Sequence, residues 1–351
     1  MRGSEFQTGN GHHTPDDHPF RVLVSEPIDP AGFASLHEVA SVDIRPDLTP
    51  MQLLLEIGHY HALMVRSQTK VTAEVLNAGT RLLIVGRAGV GVDNIDVPAA
   101  TREGIVVVNS PGGNTIAAAE HTLGLIFALA RQIPAADASV KRDEWKRSAF
   151  MGTELFGKTL GIVGLGRIGS HVAMVARALG MRVIAFDPHA VREDATDLGV
   201  ELVAIETVLA GADYLTLHAP KTPETNRLLD AASLARTKPG VRIINVARGG
   251  LIDEDALADA IRTGRVAGAA LDVYDGEPQV RESLRTLGDR VVLTPHLGAS
   301  TTEAQLNVAK DVATQIARVL GGQPATSAVA IDRPGKAIVP VAANPAPVEI
   351  S

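Results

Sequence analysis

The chain has 351 residues, of which 45% are hydrophobic, so it is long and apolar enough for two domains with separate cores. Its net charge of −7 argues against a large nucleic-acid-binding surface, and the absence of cysteine excludes disulfides, thiolate metal sites and a cysteine nucleophile. We expect no metal site. The most apolar helical stretch, 115–130, contains two polar side chains and is too short to span a bilayer. No signal peptide is visible, so we expect a cytoplasmic protein.

The two ends of the chain differ in composition from the rest. Residues 1–19 are polar and begin with Met-Arg-Gly-Ser-Glu-Phe, which is typical of an expression-vector leader, so we exclude them from the fold and expect disorder. Residues 334–351 are rich in proline and alanine without an amphipathic period, and we expect a disordered tail there.

Short apolar runs alternate with helical patterns in the first third of the chain. The predicted strands are 20–24, 42–44, 62–65, 82–85 and 105–108. Their near-continuous apolar character indicates a parallel sheet that is covered by helices on both faces. Ligands of such sheets lie at the carboxyl ends of the strands. The candidate substrate-binding residues at these ends are Arg66, Ser67, Arg87, Gly89 and Asn109.

A turn-forming segment, 109–114, separates this region from the next one. Asparagine, serine, proline and glycine cluster there between two long elements, which predicts a hinge. We expect a helix at 115–131, a polar helix at 135–145 and a loop at 146–157.

The strongest local motif is a G-x-G-x-x-G run formed by Gly164, Gly166 and Gly169. A β-branched strand pattern, 159–163, precedes it, and an amphipathic helix follows at once. In a dinucleotide-binding unit the first glycine makes a tight turn, the second lets the backbone approach a pyrophosphate, and the third lets helix and strand pack closely. The helix N-terminus supplies N–H groups and positive dipole for the phosphates. The context therefore predicts a dinucleotide site.

The choice of dinucleotide depends on Asp187. It ends the next predicted strand, about 20 residues after the first glycine, where an acidic residue meets the adenosine ribose. Its carboxylate can accept a hydrogen bond from the ribose 2′-OH and would repel a 2′-phosphate. No arginine follows directly, so the sequence indicates NAD and not NADP.

The alternation of predicted strands and helices continues beyond Asp187. Further strands are predicted at 212–217, 242–246, 268–273 and 291–294. A helix is expected at 302–320, ended by two glycines, with a short strand returning at 327–331.

Three polar residues stand at or just past strand ends in this half: Arg248, Glu277 and His296. Reduction of a carbonyl by a nicotinamide requires a proton, which histidine can supply near neutral pH. A carboxylate beside the imidazole orients it and stabilises its protonated form. Arginine binds a substrate carboxylate through a planar pair of donors. We therefore predict His296 as the acid/base, Glu277 as its partner and Arg248 as the substrate anchor.

With these residues in place, the chain resembles the D-isomer-specific 2-hydroxyacid dehydrogenases, most closely their D-3-phosphoglycerate dehydrogenase branch. The resemblance covers about residues 20–330 and rests on the segments 86–94, 109–114, 157–169, 245–253, 271–278 and 295–300. Val90 stands where some members have threonine. The sequence ends too early for the serine-binding module of the long members, so we expect no serine feedback.

The resemblance implies an α/β fold of two doubly wound parallel sheets. A Rossmann NAD-binding domain, 110–299, would be inserted in a discontinuous flavodoxin-like substrate domain, 20–109 and 300–333. It also implies a homodimer formed through the nucleotide domain, around the helix 115–131, with a small-molecule substrate and neither nucleic acid nor membrane as a partner. The implied cofactor-binding residues are Val90, Gly164, Gly166, Arg167, Ile168, Gly169, Asp187, His218, Ala219, Pro220, Val246, Ala247, Asp272, His296 and Gly298.

The implied activity is NAD-dependent interconversion of a D-2-hydroxy acid and its 2-oxo acid, with 3-phosphoglycerate to 3-phosphohydroxypyruvate, a step of serine biosynthesis, as the favoured reaction. One alternative is a hydroxypyruvate or glyoxylate reductase, or a dehydrogenase of secondary metabolism such as phosphonate metabolism. Phosphate-directed arginines would separate these, and Arg66, Arg87 and Arg147 are the candidates. The other alternative is a non-enzymatic NAD(H)-sensing co-regulator, against which the arginine, glutamate and histidine set argues.

Overall fold

The computed structural model describes residues 18–329, so the predicted tail and nearly all of the predicted leader lie outside the described residues. Within this range the chain forms two compact units. The first unit contains the residues up to Gly113 together with those from Gln305 onward, and the second contains Asn114–Ala304.

The first unit is built on a five-stranded sheet in which every neighbouring pair of strands is parallel. The strand order is β2-β1-β3-β4-β5, the flavodoxin-like arrangement. The strands are β1 Phe20–Val24, β2 Ala40–Ile44, β3 Ala62–Val65, β4 Ile84–Arg87 and β5 Val106–Asn109.

Helices cover both faces of this sheet, and two clusters of buried apolar side chains flank it. They are α1 Ala34–His37, α2 Pro50–Glu56, α3 Ala73–Ala78 and α4 Val97–Arg102, with 3₁₀ turns at Pro30–Gly32 and Ile57–His59. Side-chain caps from Thr49, Thr72 and Asp96 satisfy backbone N–H groups at the starts of α2, α3 and α4.

The second unit contains a seven-stranded parallel sheet with the order β12-β11-β10-β9-β6-β7-β8. The order reverses beside β6, which is the Rossmann switch point where dinucleotides bind. The strands are β6 Thr159–Val163, β7 Arg182–Phe186, β8 Glu201–Leu202, β9 Tyr214–Leu217, β10 Val241–Asn245, β11 Val266–Leu271 and β12 Val291–Leu293. The predicted fold class, two parallel α/β sheets, is confirmed.

The helices of the second unit again lie on both faces of their sheet. They are α5 Thr115–Arg131, α6 Ile133–Lys141, α7 Arg167–Ala178, α8 Arg192–Asp197, α9 Ile205–Gly211, α10 Ala231–Arg236, α11 Glu254–Arg262 and α12 Glu282–Arg285, with 3₁₀ turns at Arg147–Phe150 and Gly288–Arg290.

The last helix, α13 Thr302–Leu320, returns to the first sheet. Its buried side chains include Val308, Val312 and Ile316, which pack with apolar residues of β1, β3 and β4. A Cβ atom on Gly86 of β4 would overlap the side chain of Val312, so the glycine permits the close approach of helix and strand.

Two predicted elements differ from the structure. The polar helix expected at 135–145 ends at Lys141, because Asp143 adopts a left-handed conformation with φ of 59°. The short strand expected at 327–331 amounts to an isolated antiparallel bridge between Ala328 and Val108, and residues 330 and 331 lie outside the described range. In the part of the chain described, no single helix is long and apolar enough to cross a membrane, and α5 and α6 pass that test only as a pair bent by 64°.

Candidate active site

The glycine-rich turn between β6 and α7 has the shape that a dinucleotide requires. Gly164 has φ of 95°, and a Cβ atom there would lie 2.6 Å from the carbonyl oxygen of His218. A Cβ atom on Gly169 would overlap the carbonyl oxygen of Gly164. Gly166, the N-cap of α7, instead faces open space, with no described atom within 4 Å of its Cβ position. The first and third glycines are therefore closely packed against neighbouring atoms, whereas the second faces open space, where a pyrophosphate would approach.

The amino end of α7 carries the other features of an anion site. Arg167 and Ile168 are its first two residues, and Gly166 offers no side chain to cap their N–H groups. Asp187 follows β7 directly, and its carboxylate accepts hydrogen bonds from the N–H groups of Leu165 at 2.7 Å and His189 at 2.8 Å. The predicted ribose-binding carboxylate therefore lies against the glycine-rich turn. These residues fit NAD.

His218, Ala219 and Pro220 follow β9, the strand next to β6. The N–H of His218 donates to the carbonyl oxygen of Val163 at 2.7 Å, and its Nε2 lies 3.1 Å from the hydroxyl of Thr216. Burial lowers the pKa of His218 to about 4, so this imidazole is neutral near pH 7. A neutral histidine of this kind is a poor proton donor, which agrees with its interpretation as a cofactor-loop residue.

The remaining site residues of the second unit lie at one edge of its sheet. Asn245, Leu271 and Leu293, at the ends of three adjacent strands, are aligned in the parallel register of β10, β11 and β12. The segments that follow them, 246–248, 272–277 and 294–298, therefore leave the sheet side by side. A Cβ atom on Gly298 would lie 3.0 Å from a methyl group of Val246, so two of these segments are in contact.

His296 and Glu277 form the pair that the sequence predicts. The Nδ1 atom of His296 lies 2.8 Å from Oε2 of Glu277, and the other carboxylate oxygen accepts the N–H of Tyr274 at 3.0 Å. Burial acts to raise the pKa of Glu277, but the hydrogen bonds from His296 and Tyr274 outweigh it and hold the pKa below its ordinary value. The carboxylate therefore stays ionised, and the imidazole keeps Nε2 for a reacting group.

The backbone that presents His296 is held in an uncommon conformation. Its φ is 58°, in the left-handed region that non-glycine residues rarely adopt. The N–H of His296 donates to the carbonyl oxygen of Asp272 at 2.9 Å, and the N–H groups of Leu297 and Gly298 donate to the Asp272 carboxylate, each at 2.8 Å. Three successive N–H groups thus converge on one aspartate and fix the turn.

Asp272 has no exposed surface, and two side chains complete its surroundings. The hydroxyl of Thr294 donates to its Oδ1 at 2.6 Å, and Nε2 of His121, on α5, lies 3.2 Å from the same oxygen. Burial acts to raise the pKa of Asp272, but hydrogen bonds from His121, Thr294 and the Leu297 backbone lower it. In this structure Asp272 holds the turn that bears His296. Its direct contact with a cofactor stays a prediction.

Arg248 lies in a loop shaped by Asn245. The Asn245 side chain donates to the Arg248 carbonyl oxygen at 2.9 Å and accepts the N–H of Ala247 at 3.0 Å, while the Arg248 guanidinium donates to the Ala247 carbonyl oxygen at 2.7 Å. A Cβ atom on Gly249 would overlap the carbonyl oxygen of Tyr274, so this loop packs closely against the loop that carries Glu277. Arg248 is thereby positioned at the same sheet edge as the histidine pair.

Five of the six candidate substrate residues, all except Arg248, belong to the first unit. Arg66 and Ser67 follow β3, and the register aligns Val65, Arg87 and Asn109 at the ends of adjacent strands. The Asn109 side chain donates to the carbonyl oxygen of Val90, and Gly89 lies close to the Arg87 guanidinium. These residues therefore lie at one edge of the first sheet, together with Val90, the predicted cofactor contact.

Three residues outside the predicted site set organise these edges. Glu26 and Asn94 hold the loop 66–69, and His121 contacts Asp272. A signal existed for Glu26, which follows β1 as the other candidates follow their strands. His121 gives only the signal of a polar residue that interrupts the apolar helical stretch 115–130. Among the described residues, no group of three or more histidine, aspartate or glutamate side chains could hold a metal ion.

Comparison with known proteins identifies the family. The profile described as "D-isomer specific 2-hydroxyacid dehydrogenase, NAD binding domain" matches residues 123–298. The chain belongs to this family. The unit formed by Asn114–Ala304 contains the whole match to this NAD-binding domain, and the predicted cofactor, NAD, is confirmed.

Individual relatives agree with the family assignment. The chain is 57% identical over 311 residues to the D-3-phosphoglycerate dehydrogenase of Synechocystis sp., covering 89% of this chain and 56% of that protein. It therefore spans little more than half the length of that relative. Among solved structures, a glyoxylate reductase from Paecilomyes thermophila matches with a TM-score of 0.82 and 30% identity, covering 88% of this chain and 98% of that one. A D-lactate dehydrogenase from Aquifex aeolicus, complexed with NAD and lactic acid, matches with a TM-score of 0.77 and 28% identity, covering 86% and 96%.

Proposed function

We propose that the protein is an NAD-dependent dehydrogenase that interconverts a D-2-hydroxy acid and its 2-oxo acid. The observation that carries this proposal is the hydrogen-bonded pair of His296 and Glu277 at the carboxyl edge of an NAD-binding sheet. That edge is where ligands of doubly wound sheets bind, and the pair supplies the proton transfer that hydride chemistry requires.

Each residue of the pair has a defined role in the proposed reaction. In oxidation, Nε2 of His296 accepts the hydroxyl proton of the substrate while the hydrogen on its C2 atom leaves as a hydride. In reduction, the same nitrogen returns the proton to the oxygen. Glu277, ionised and 2.8 Å from Nδ1, keeps the imidazole oriented and stabilises the imidazolium that forms. NAD, when bound, supplies the hydride acceptor or donor.

Two further sets of residues complete the proposed site. Arg248 would bind the substrate carboxylate through its planar guanidinium. The turn of Gly164 and Gly166, the start of α7 and Asp187 would hold the adenosine diphosphate half of NAD, and the segment 246–248 with Gly298 would lie along the nicotinamide half. We assign the NAD-binding role to the inserted unit and the substrate-binding role to the discontinuous unit.

The favoured substrate is 3-phosphoglycerate, oxidised to 3-phosphohydroxypyruvate in serine biosynthesis. The name of the Synechocystis relative supports this choice. A phosphorylated hydroxy acid carries two anions, and Arg248 can serve only one of them. Arg66 and Arg87, at the edge of the first sheet, are the proposed phosphate ligands.

The experiment that tests the proposal is a screen of 2-hydroxy acids for NADH formation by the wild-type protein. Arg66→Ala and Arg87→Ala should then raise the KM for 3-phosphoglycerate far more than the KM for D-lactate or glycerate. Arg102→Ala, an exposed arginine on α4, serves as the control and should leave all three KM values unchanged. No NADH formation with any hydroxy acid would refute the activity.

A second candidate function is reduction of glyoxylate or hydroxypyruvate, which the similarity to the Paecilomyes thermophila enzyme favours. These acids lack a phosphate, so the two arginine variants would affect phosphorylated and plain acids equally. That result, together with faster turnover of glyoxylate than of 3-phosphoglycerate, would favour glyoxylate or hydroxypyruvate as the substrate in place of 3-phosphoglycerate.

We further propose a cytoplasmic homodimer formed through the nucleotide-binding unit. Trp145 is 85% exposed and Met151 is 81% exposed, and both line a groove of about 840 Å³ after α6. Large apolar side chains grouped in this way favour a protein interface. Met151→Glu should shift the light-scattering mass from dimer to monomer, whereas Met51→Glu, at a 65% exposed position of the first unit, should not. A wild-type monomer at micromolar concentration would refute the dimer.

A further inference from the structure

The loop 66–69, which carries two candidate substrate residues, is held by hydrogen bonds from its backbone N–H groups to a buried carboxylate. Glu26 is only 4% exposed and stands just after β1. Its Oε1 accepts the N–H groups of Arg66 at 2.9 Å and Thr69 at 2.8 Å, and its Oε2 accepts the N–H of Gln68 at 3.1 Å. One side chain, distant in sequence, therefore fixes most of the backbone of the loop.

A second side chain holds the same loop through its carbonyl groups. The amide nitrogen of Asn94 donates to the carbonyl oxygens of Arg66 at 2.9 Å and Thr69 at 2.7 Å. The hydroxyl of Ser25 lies 3.0 Å from the hydroxyl of Thr69. The first and last residues of the loop are thus fastened at both N–H and carbonyl, and neither Glu26 nor Asn94 belongs to it.

Ser67 is the one residue of the loop 66–69 that makes no hydrogen bond to Glu26, Asn94 or Ser25. It is exposed, and its N–H has no acceptor within residues 18–329. Because the neighbouring N–H groups are directed to Glu26, the loop presents Ser67 outward beside the Arg66 side chain. The N–H and hydroxyl of an exposed serine that follows an arginine in the chain suit an anionic group. The Arg66 guanidinium donates one hydrogen bond, to the carbonyl oxygen of Pro27 at 3.3 Å, and its fork carries further donors for a ligand.

We infer that Glu26 is a positioning residue, which orders the loop 66–69 so that Arg66 and Ser67 meet an anionic group of the substrate. This inference rests on the proposed function. Glu26 does not contact the substrate itself. It acts because a buried carboxylate is stable only when donors surround it, and here the donors are the loop backbone. The loop N–H groups therefore stabilise the buried carboxylate, and the carboxylate in turn fixes the conformation of the loop.

The decisive variant is Glu26→Gln, which keeps the shape of the side chain. An amide offers one acceptor oxygen and directs an NH₂ group toward N–H donors, so at least one loop N–H loses its partner. The bond that remains is also weaker without the charge. We expect the loop to loosen and the KM for the hydroxy acid to rise by about tenfold or more, the size expected for one lost hydrogen bond to a charged group. The kcat should change by less than about threefold, because His296 and Glu277 are untouched.

The test combines kinetics with amide hydrogen exchange on the full chain. Glu26→Gln should speed exchange at the amides of residues 66–69 and leave NADH affinity unchanged, and Glu26→Asp should recover part of the lost affinity for substrate. Asn94→Ala should raise the KM in the same direction. Glu38→Gln, an exposed glutamate nearby in sequence, is the matched control and should behave as wild type.

The outcomes separate this inference from the proposed function. If the wild type is active but Glu26→Gln keeps its KM and the slow exchange of the loop, the inference is wrong and the function stands. An equal loss of kcat, NADH affinity and thermal stability would assign Glu26 a general structural role and also overturn it. If the wild type oxidises no 2-hydroxy acid, the proposed function fails first and the substrate role of Glu26 fails with it.

Discussion

Asp272→Asn is the substitution that most directly tests how the turn bearing His296 is held. The carboxylate receives donors from Thr294, Leu297 and His121 on one oxygen and from Gly298 on the other. If the amide nitrogen takes the second position, it faces the Gly298 N–H, and a hydrogen bond worth about 1.5–3 kcal/mol is replaced by two opposed donors. The other three bonds lose their charge and about half their strength. We expect a destabilisation of at least about 3 kcal/mol.

The same substitution should reduce turnover. A displacement of about 1 Å at a reacting group can lower the rate about a hundredfold, so kcat should fall by roughly that factor while NADH still binds. Asp289→Asn, an exposed aspartate in the 3₁₀ turn before β12, is the control. Denaturant unfolding of the nucleotide-binding unit and steady-state kinetics measure the two effects. Unfolding and kcat both within error of wild type would refute the role assigned to Asp272.

The pH dependence of stability provides a separate check on Asp272. Its folded-state pKa is lowered, so between that value and the ordinary pKa the unfolded chain binds more protons than the folded one. The stability contributed by this carboxylate is complete above the ordinary pKa and is lost as pH falls through the lowered pKa. Asparagine does not titrate, so the variant should lose less stability than wild type on acidification.

Four further predictions concern the proposed chemistry. His296→Ala should lower kcat by about 10²–10⁴-fold, as expected for lost acid–base catalysis, with KM nearly unchanged. Glu277→Gln should shift the alkaline limit of the reductive reaction, which requires the protonated imidazole, to lower pH, because the imidazolium loses its anionic partner. Arg248→Lys should chiefly raise KM, since an ammonium group cannot form the two-point contact. Asp187→Ala should lower the ratio of NAD to NADP efficiency, measured as kcat/KM for each cofactor.

Each of these has an outcome that contradicts it. Near-normal turnover by the His296 variant would remove the proposed acid/base. A pH–rate profile unchanged by the glutamine would show that Glu277 does not act through the imidazole. An unaltered KM in the Arg248→Lys variant would show that Arg248 does not bind the substrate carboxylate. An unaltered ratio of NAD to NADP efficiency in the Asp187→Ala variant would show that Asp187 does not contact the adenosine ribose.

Local motifs were predictable because their contacts are close in sequence. The unit of β6, α7 and β7 follows from one apolar run, three glycines and one helical pattern, and the structure has the three elements in the predicted order, with β6 at the predicted limits. Strand limits were less predictable where a residue is buried but does not belong to the hydrogen-bonded part of the strand. Leu82 is buried in the core, yet β4 begins only at Ile84, because hydrophobicity reports burial and not hydrogen bonding.

The partners of the supporting residues could not be recognised from the sequence, even for Glu26, whose position after β1 marks the sheet edge. Glu26 binds a loop 40 residues away, and His121 meets a carboxylate 151 positions further along the chain. A lone glutamate or histidine in a sequence has the same appearance whether it is solvated or buried among donors. Only the strand topology, which aligns distant chain segments at one edge, shows which partner each has.

The position of α13 has a consequence for how the molecule is made. The five strands of the first sheet are complete by Asn109, but the helix that covers Val24, Met64 and Ile84 begins at Thr302. During synthesis from the amino end, one face of that sheet stays only partly covered, by α1, while the whole nucleotide-binding unit emerges and folds. The segment made first therefore reaches its final form last, and for most of translation it is the part of the nascent chain most exposed to chaperones and to aggregation.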